Sequence, residues 1–299
     1  MGLDSNGTKF LFAAHASGVS FRQTAMLGRQ NFFPEPAQLQ RLLDHRQSGL
    51  SADKFLADSQ NYAEKFLEFL GAEEAVAIDN SAYEGAAIVT DLNAPIDASL
   101  KERFSVVLDG GCLEHIFNFP QAIRNCMEML QIGGHFLGIT PANNFCGHGF
   151  YQFSPEIYFR IFTAENGFAL RAVLTRDGQT WYRVRDPDQF GGRVELQNNR
   201  PTYLFVLAKK IAARELFGAP PQQSDYARTW EAATGHSPST LPPGRSLAAK
   251  LRTILPAQVR DALRPLAAHL PIGHRYSCYQ RLDEAALLGG NLESRPAAI

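Results

Sequence analysis

Between Asp109 and Gln152 the chain concentrates side chains that can move a proton or grip a polar ligand. Asp109-Gly110-Gly111 is followed closely by Glu114-His115, and Asn143-Asn144 leads through Cys146 and His148 to Tyr151-Gln152. Histidine titrates near neutral pH, so His115 and His148 are the candidate general bases, and Glu114 or Asp109 can orient an imidazole. The alternatives for His115 are that it positions substrate or cofactor, or that it is a loop histidine satisfied by backbone groups. Asn143, Asn144, Tyr151 and Gln152 can read polar groups on a substrate; a loop stiffened by side-chain to backbone bonds is the competing reading. The two histidines and two acids can also be imagined around a metal ion. Their spacing matches no dense ligand motif, so no metal is expected.

These residues work together only if the fold gathers them. Ser105–Leu108 and His135–Ile139 are short apolar runs that each end in a polar cluster. Buried strands that open onto glycine and acid are expected in an open α/β sheet, whose ligands sit beyond the carboxyl ends of the strands. Earlier strands are expected at Gln23–Leu27, closing on Gly28-Arg29-Gln30, at Ala75–Ile78 before Asp79, and at Ala86–Val89 before Asp91. Helices are expected from Ala37 to His45 and from Lys54 to Leu70. In the second of these, Phe55, Tyr62, Phe66 and Phe69 share a face and Gly71 is the stop signal. Pro120 opens a further helix. Pro141 should end the strand before it, and Ser154-Pro155-Glu156 caps another helix. Leu170–Thr175 and Tyr203–Lys209 read as late strands separated by a polar stretch. The alternation predicts an α/β fold with a Rossmann-like, mostly parallel sheet, helices on both faces and an antiparallel edge.

Composition narrows the function classes. The 299 residues are 45% hydrophobic and 20% charged, ordinary for a globular protein, and the formal net charge of −1 recruits no nucleic acid. No apolar run is long enough to span a bilayer, and the start lacks the pattern of a signal peptide. Four cysteines without paired spacing fit a reducing, cytoplasmic setting. Residues 1–213 are expected to form the α/β domain, 214–245 a Pro/Ser-rich linker or strap, and 246–299 a helical appendage. The appendage carries Lys250, Arg252, Arg260 and Arg264 on polar positions. It reads as a cap on the domain, as a homodimer contact, or as a peripheral membrane contact.

Over residues 20–210 the order of elements resembles the class I S-adenosylmethionine-dependent methyltransferases. The segment DGGCLEHIFNFPQAIRNCMEMLQIGG looks like that family's passage from the fourth strand to the fifth. The resemblance implies S-adenosyl-L-methionine as cofactor and a small-molecule or glycan-type acceptor methylated on oxygen or nitrogen. It places Asp79 on the cofactor ribose, Asp91 on the adenine amine with Leu92 against the adenine face, and Asp109 and Gly110 along the cofactor cleft. Glu114, His115 and His148 fall on the methyl-transfer side. The family's first strand normally ends in a glycine-rich loop. Here Gly28 stands alone before Arg29 and Gln30, so side chains must take over part of that loop's work, with Arg29 placed to pair with the cofactor carboxylate. The alternatives are a surface arginine and, for the whole chain, a degenerate methyltransferase fold serving as a non-catalytic scaffold.

Overall fold

The computed structural model describes residues 2–233 and 272–292. In chain order the elements are β1 (Gly2–Leu3), α1 (Ser5–Ala16), β2 (Gln23–Leu27), β3 (Asn31–Phe32), α2 (Pro36–His45), α3 (Ala52–Ser59), α4 (Glu64–Phe69), β4 (Glu74–Asp79) and β5 (Ile88–Val89). They continue with β6 (Phe104–Asp109), α5 (Phe119–Met129), β7 (Leu130–Asn143), α6 (Pro155–Ile161), β8 (Phe168–Asp177), β9 (Thr180–Val184), α7 (Pro187–Phe190), β10 (Thr202–Lys210) and α8 (Ser224–Ala233). After residues outside the description come a short helix, Ile272–Arg275, the strand β11 (Tyr279–Leu282) and a last helix, Glu284–Leu288.

A nine-stranded sheet runs in the order β11-β9-β8-β10-β7-β6-β2-β4-β5. The stretch β5-β4-β2-β6-β7 is parallel, and from β7 outward each pairing is antiparallel. The fold is therefore the Rossmann-like α/β one that the sequence predicts. The period of two is clean at the centre. Ala25, Leu27, Ile78, Val107 and Phe136 join the core under α5 and α6, whereas Met26, Ala77, Val106, Leu108 and Leu137 join the core under α1 to α4. All of β6 is buried, as expected for a strand covered on both faces.

Several expectations need correction. Lys54–Leu70 is two helices, because Gln60 and Asn61 take left-handed conformations (φ 52° and 67°) and the Asn61 carbonyl accepts the Phe32 N–H at 2.7 Å. Pro141 does not stop β7. Its missing donor falls beside a register shift against β10, at Thr202/Tyr203, an irregularity of the kind at which proline is tolerated in a sheet. The polar stretch after β8 holds a further strand, β9, whose Trp181, Tyr182 and Val184 are buried. Helix α1 escapes a periodicity reading because it is buried all round from Gly7 to Ala14 and shows no polar stripe.

The supposed linker is helical at Ser224–Ala233. The appendage is not wholly helical, since β11 extends the sheet on β9 and the last helix returns to α1, where Lys9 pairs with Glu284. The basic stretch with Lys250, Arg252, Arg260 and Arg264 lies outside the described residues. No helix among the described residues is long and apolar enough to cross a membrane.

Leu137 is fully buried in β7 between the parallel and antiparallel halves. Leu137→Ala is expected to lower unfolding free energy by about 2–5 kcal/mol in a denaturant titration. A loss well under 1 kcal/mol would contradict this core assignment.

Candidate functional site

In the sheet, β2 and β6 lie side by side with Leu27 opposite Asp109; the chain leaves β2 toward β4 and returns through β6 toward β7. An open α/β sheet leaves its crevice at this switch of direction. Two glycine turns open it. Gly28 takes φ +66° and donates its N–H to the Ile78 carbonyl at 2.7 Å. Gly110-Gly111 follows β6, and the Gln30 side chain lies against it while Gln30 Nε2 donates to the Leu27 carbonyl at 2.6 Å. A Cβ on Gly110 would stand 2.2 Å from Gln30 Oε1, so the two turns nest only with glycine there.

Asp109 is fully buried, and its Oδ1 accepts the N–H groups of Cys112 (2.7 Å) and Leu113 (3.2 Å) while Oδ2 has no hydrogen-bond partner. Burial pushes this carboxyl up to about 6 against the pull of those N–H groups. The same bonds start a 3-10 turn, Leu113–His115, that turns Glu114 inward and leaves His115 exposed. Glu114 has 0% exposure and neither carboxyl oxygen has a hydrogen-bond partner. Burial, then the charge of Asp109, pushes the Glu114 carboxyl up to about 8.

The loop after β7 clamps onto this turn. Phe150 donates its N–H to the Glu114 carbonyl at 2.8 Å, and Tyr151 adds a second N–H at 3.3 Å. Gly149, at φ +77°, permits the approach; a Cβ there would sit 2.7 Å from that carbonyl oxygen. The clamp sets His148 Nε2 at 3.4 Å from Glu114 Oε1 and brings the rings of His115 and His148 to 5.0 Å. Burial, then the neighbouring His148, lowers the His115 pKa.

A cleft of about 550 Å³ opens here, lined by Asn31, Phe33, Gly110, Gly111, Glu114, His148 and Tyr203 among others, with no Lys or Arg among the described lining residues. A larger cavity of about 710 Å³ lies on the antiparallel half, around Arg160, Arg171 and Asp188. Its lining includes the end of β9 at Arg183–Asp186 and none of Asp109, Glu114, His115 or His148.

The structure gathers some of the sequence-derived residues and separates others. Gly28, Asp109, Gly110, Glu114, His115 and His148 converge at the switch point. Asp79 ends β4, next along the sheet, and accepts the Ser81 N–H at 3.3 Å. Arg29 is not available to a ligand carboxylate as expected; it pairs with Glu64 at 2.7 Å and lies 3.6 Å over the Tyr62 ring. Asp91 is exposed and its Oδ1 is bound by Asn93 in a local turn. Leu92 is a core residue, 5% exposed, rather than an adenine platform.

The four proposed substrate readers are tied up in the loop. Asn143 and Asn144 donate to Asn198, and Asn144 also to the Arg200 carbonyl. The Tyr151 hydroxyl donates to the Phe117 carbonyl at 2.6 Å, and Gln152 Oε1 accepts the Phe145 N–H at 2.8 Å. They shape the loop that carries His148. The N-terminal residues Gly2 and Asp4, which also line the cleft, escaped sequence reasoning, whereas Gln30, expected only to take over part of the first loop's work, lies against Gly110. A polar residue two positions after a strand-ending glycine is the available signal for Gln30.

No protein-family model and no curated protein matches the chain. Among solved structures, the chain is similar to N-methyltransferase NodS from Bradyrhizobium japonicum in complex with S-adenosylhomocysteine, at 14% identity and TM-score 0.37, over 69% of this chain and 85% of that one. It is similar to a putative methyltransferase from Bacillus halodurans at 9% identity and TM-score 0.35, over 68% of this chain and 99% of that one. A branched-chain polyamine synthase from Thermus thermophilus, complexed with 5'-methylthioadenosine, gives 14% identity and TM-score 0.38 over 74% of this chain and 60% of that one. The Rossmann-like α/β fold rests on the strand order and the switch point described above, not on these scores.

Glu114 supplies a pH test. An acid held neutral by the fold stabilises it at low pH, and this contribution is lost as pH rises from its ordinary 4.5 to about 8. Glu114→Gln should therefore melt higher than wild type by about 2 °C or more at alkaline pH, with the difference shrinking toward acid pH. Parallel melting curves across that range would contradict the burial argument.

Proposed function

We propose that the chain is an S-adenosylmethionine-dependent methyltransferase acting on an oxygen or nitrogen of a small-molecule or sugar-containing acceptor. One observation carries this reading. Gln30 Oε1, Asp109 Oδ2 and both Glu114 carboxyl oxygens are buried acceptors without partners beside Gly110-Gly111, and the described lining residues include no Lys or Arg. Buried acceptors without donors favour a donor-rich or cationic ligand. A polyphosphate nucleotide has the wrong sign, whereas a sulfonium nucleoside with an ammonium group has the right one. Asp79 fits the ribose, because one carboxylate oxygen remains for its hydroxyls.

The residues present thus fit the cofactor: Asp79 at the ribose, Gly28 and Gly110 where backbone approaches it, and Gln30 and Asp109 toward its positive groups. When bound, the cofactor supplies a methyl group on a cationic sulfur, open to displacement by a nucleophile. The chain's own part is alignment and proton handling. Glu114, His115 and His148 form the corner in which the acceptor's reacting atom sits and loses its proton. Exposed Phe117 and Phe150, with ring centroids 5.9 Å apart, follow the two histidines and offer a ring face to an incoming acceptor.

The scaffold reading has its own support. Arg29 is committed to Glu64, and Gln30 fills the first turn against Gly110. Calorimetric titration with S-adenosylmethionine and S-adenosylhomocysteine decides between the readings. Wild type should bind both, and Asp79→Ala should bind at least about tenfold more weakly, near 1.4 kcal/mol. No heat with either ligand contradicts the cofactor assignment. Binding without methyl transfer to any of a panel of hydroxyl, amine and glycan acceptors favours the scaffold.

A further inference from the structure

We propose that Glu114, His115 and His148 bind a divalent first-row transition cation at the wall of the cleft. One carboxylate oxygen and one nitrogen from each imidazole lie within 4.8 Å of one another. Ligand atoms bound at about 2.1 Å to one ion stand roughly 3.0–3.4 Å apart. The Glu114–His148 pair already stands at 3.4 Å. The remaining closure is a swing of two exposed imidazoles, and no core residue needs to move.

A second observation points the same way. The Glu114 side chain has 0% exposure, and both of its oxygens lack a hydrogen-bond partner although one faces His148. A buried acceptor left unpaired in an otherwise well-bonded loop is where an ion is expected. The surroundings keep that position open. Gly111 leaves space in front of the carboxylate, where a Cβ would stand 3.1 Å from Glu114 Oε1. The Phe150 and Tyr151 N–H bonds to the Glu114 carbonyl hold the His148 loop over it.

Two imidazoles with one carboxylate suit Fe²⁺, Co²⁺, Ni²⁺, Zn²⁺ or Mn²⁺; Mg²⁺ and Ca²⁺ prefer sites made wholly of oxygen. Three protein ligands leave coordination positions free, and His148 and Glu114 both line the cleft. An acceptor oxygen can occupy a free position, where the cation lowers the pKa of a bound hydroxyl. This use of the ion, though not its binding, rests on the methyl-transfer reading. It narrows the acceptor to one that offers a coordinating oxygen beside its reactive hydroxyl.

The test uses the full, tag-free chain, stripped with chelator and titrated with Co²⁺ alone by calorimetry and visible absorption. The expected result is one Co²⁺ per chain with ligand-field bands that Zn²⁺ displaces. His115→Ala, His148→Ala and Glu114→Gln should each weaken binding at least about tenfold and alter the bands. Both histidines are exposed, so their variants should keep the wild-type circular dichroism. Absence of stoichiometric binding, or binding and bands unchanged in His148→Ala, would overturn the proposal. S-adenosylhomocysteine affinity measured on the same stripped samples separates failure of the ion site from failure of the cofactor reading.

Discussion

Two carboxyl groups, Asp109 and Glu114, are buried within one turn of each other beyond the central strand, and the rest of the site is arranged around what that costs. An ionised carboxylate away from water needs donors or a counter-charge. Asp109 receives two backbone N–H groups on one oxygen and none on the other; Glu114 receives none on either. The fold tolerates the pair without ligand by raising both pKa values, Asp109 to about 6 and Glu114 to about 8. Such a pair favours a partner with positive charge, and this preference links the sheet's architecture to the proposed chemistry.

Glycine makes the arrangement possible at three places. Gly110 accepts the Gln30 side chain, Gly111 stands before the Glu114 carboxyl, and Gly149 lets the second loop reach the Glu114 carbonyl. Each sits where a Cβ would meet a polar group of the site. The asparagines, Tyr151 and Gln152 serve the same end from outside, by fixing the loop that delivers His148. In the proposed reaction, that leaves acceptor recognition to the cleft walls and the exposed Phe117–Phe150 pair.

Much of the fold was legible because the central strands are buried on both faces and end abruptly in glycine and acid. The expected strand Gln23–Leu27 coincides with β2, and Ser105–Leu108 lies within β6. Elements whose signal was tertiary were not legible. Helix α1 lacks a polar face, β9 was masked by polar neighbours, and the break at Gln60-Asn61 depends on a bond to Phe32. At the site, residue types were informative at the two strand ends. Partnership was not: nothing in the sequence says that Arg29 meets Glu64 and Tyr62, or that Leu92 turns into the core. Nor does spacing bring His115 and His148 together, since 33 positions separate them and the contact comes from a glycine clamp.

In the proposed function the unpaired Gln30 and Asp109 oxygens beside Gly110 are directed at a positive charge on the cofactor. S-adenosylmethionine and S-adenosylhomocysteine differ by the methyl group and the sulfonium charge, so comparing them isolates that interaction. Asp109→Asn keeps an oxygen for the Cys112 and Leu113 N–H groups while removing the carboxylate. The decisive measurement is the affinity of wild type and Asp109→Asn for both ligands. The substitution should weaken binding of S-adenosylmethionine severalfold more than that of S-adenosylhomocysteine. Equal weakening of the two, or no effect on either, would contradict this.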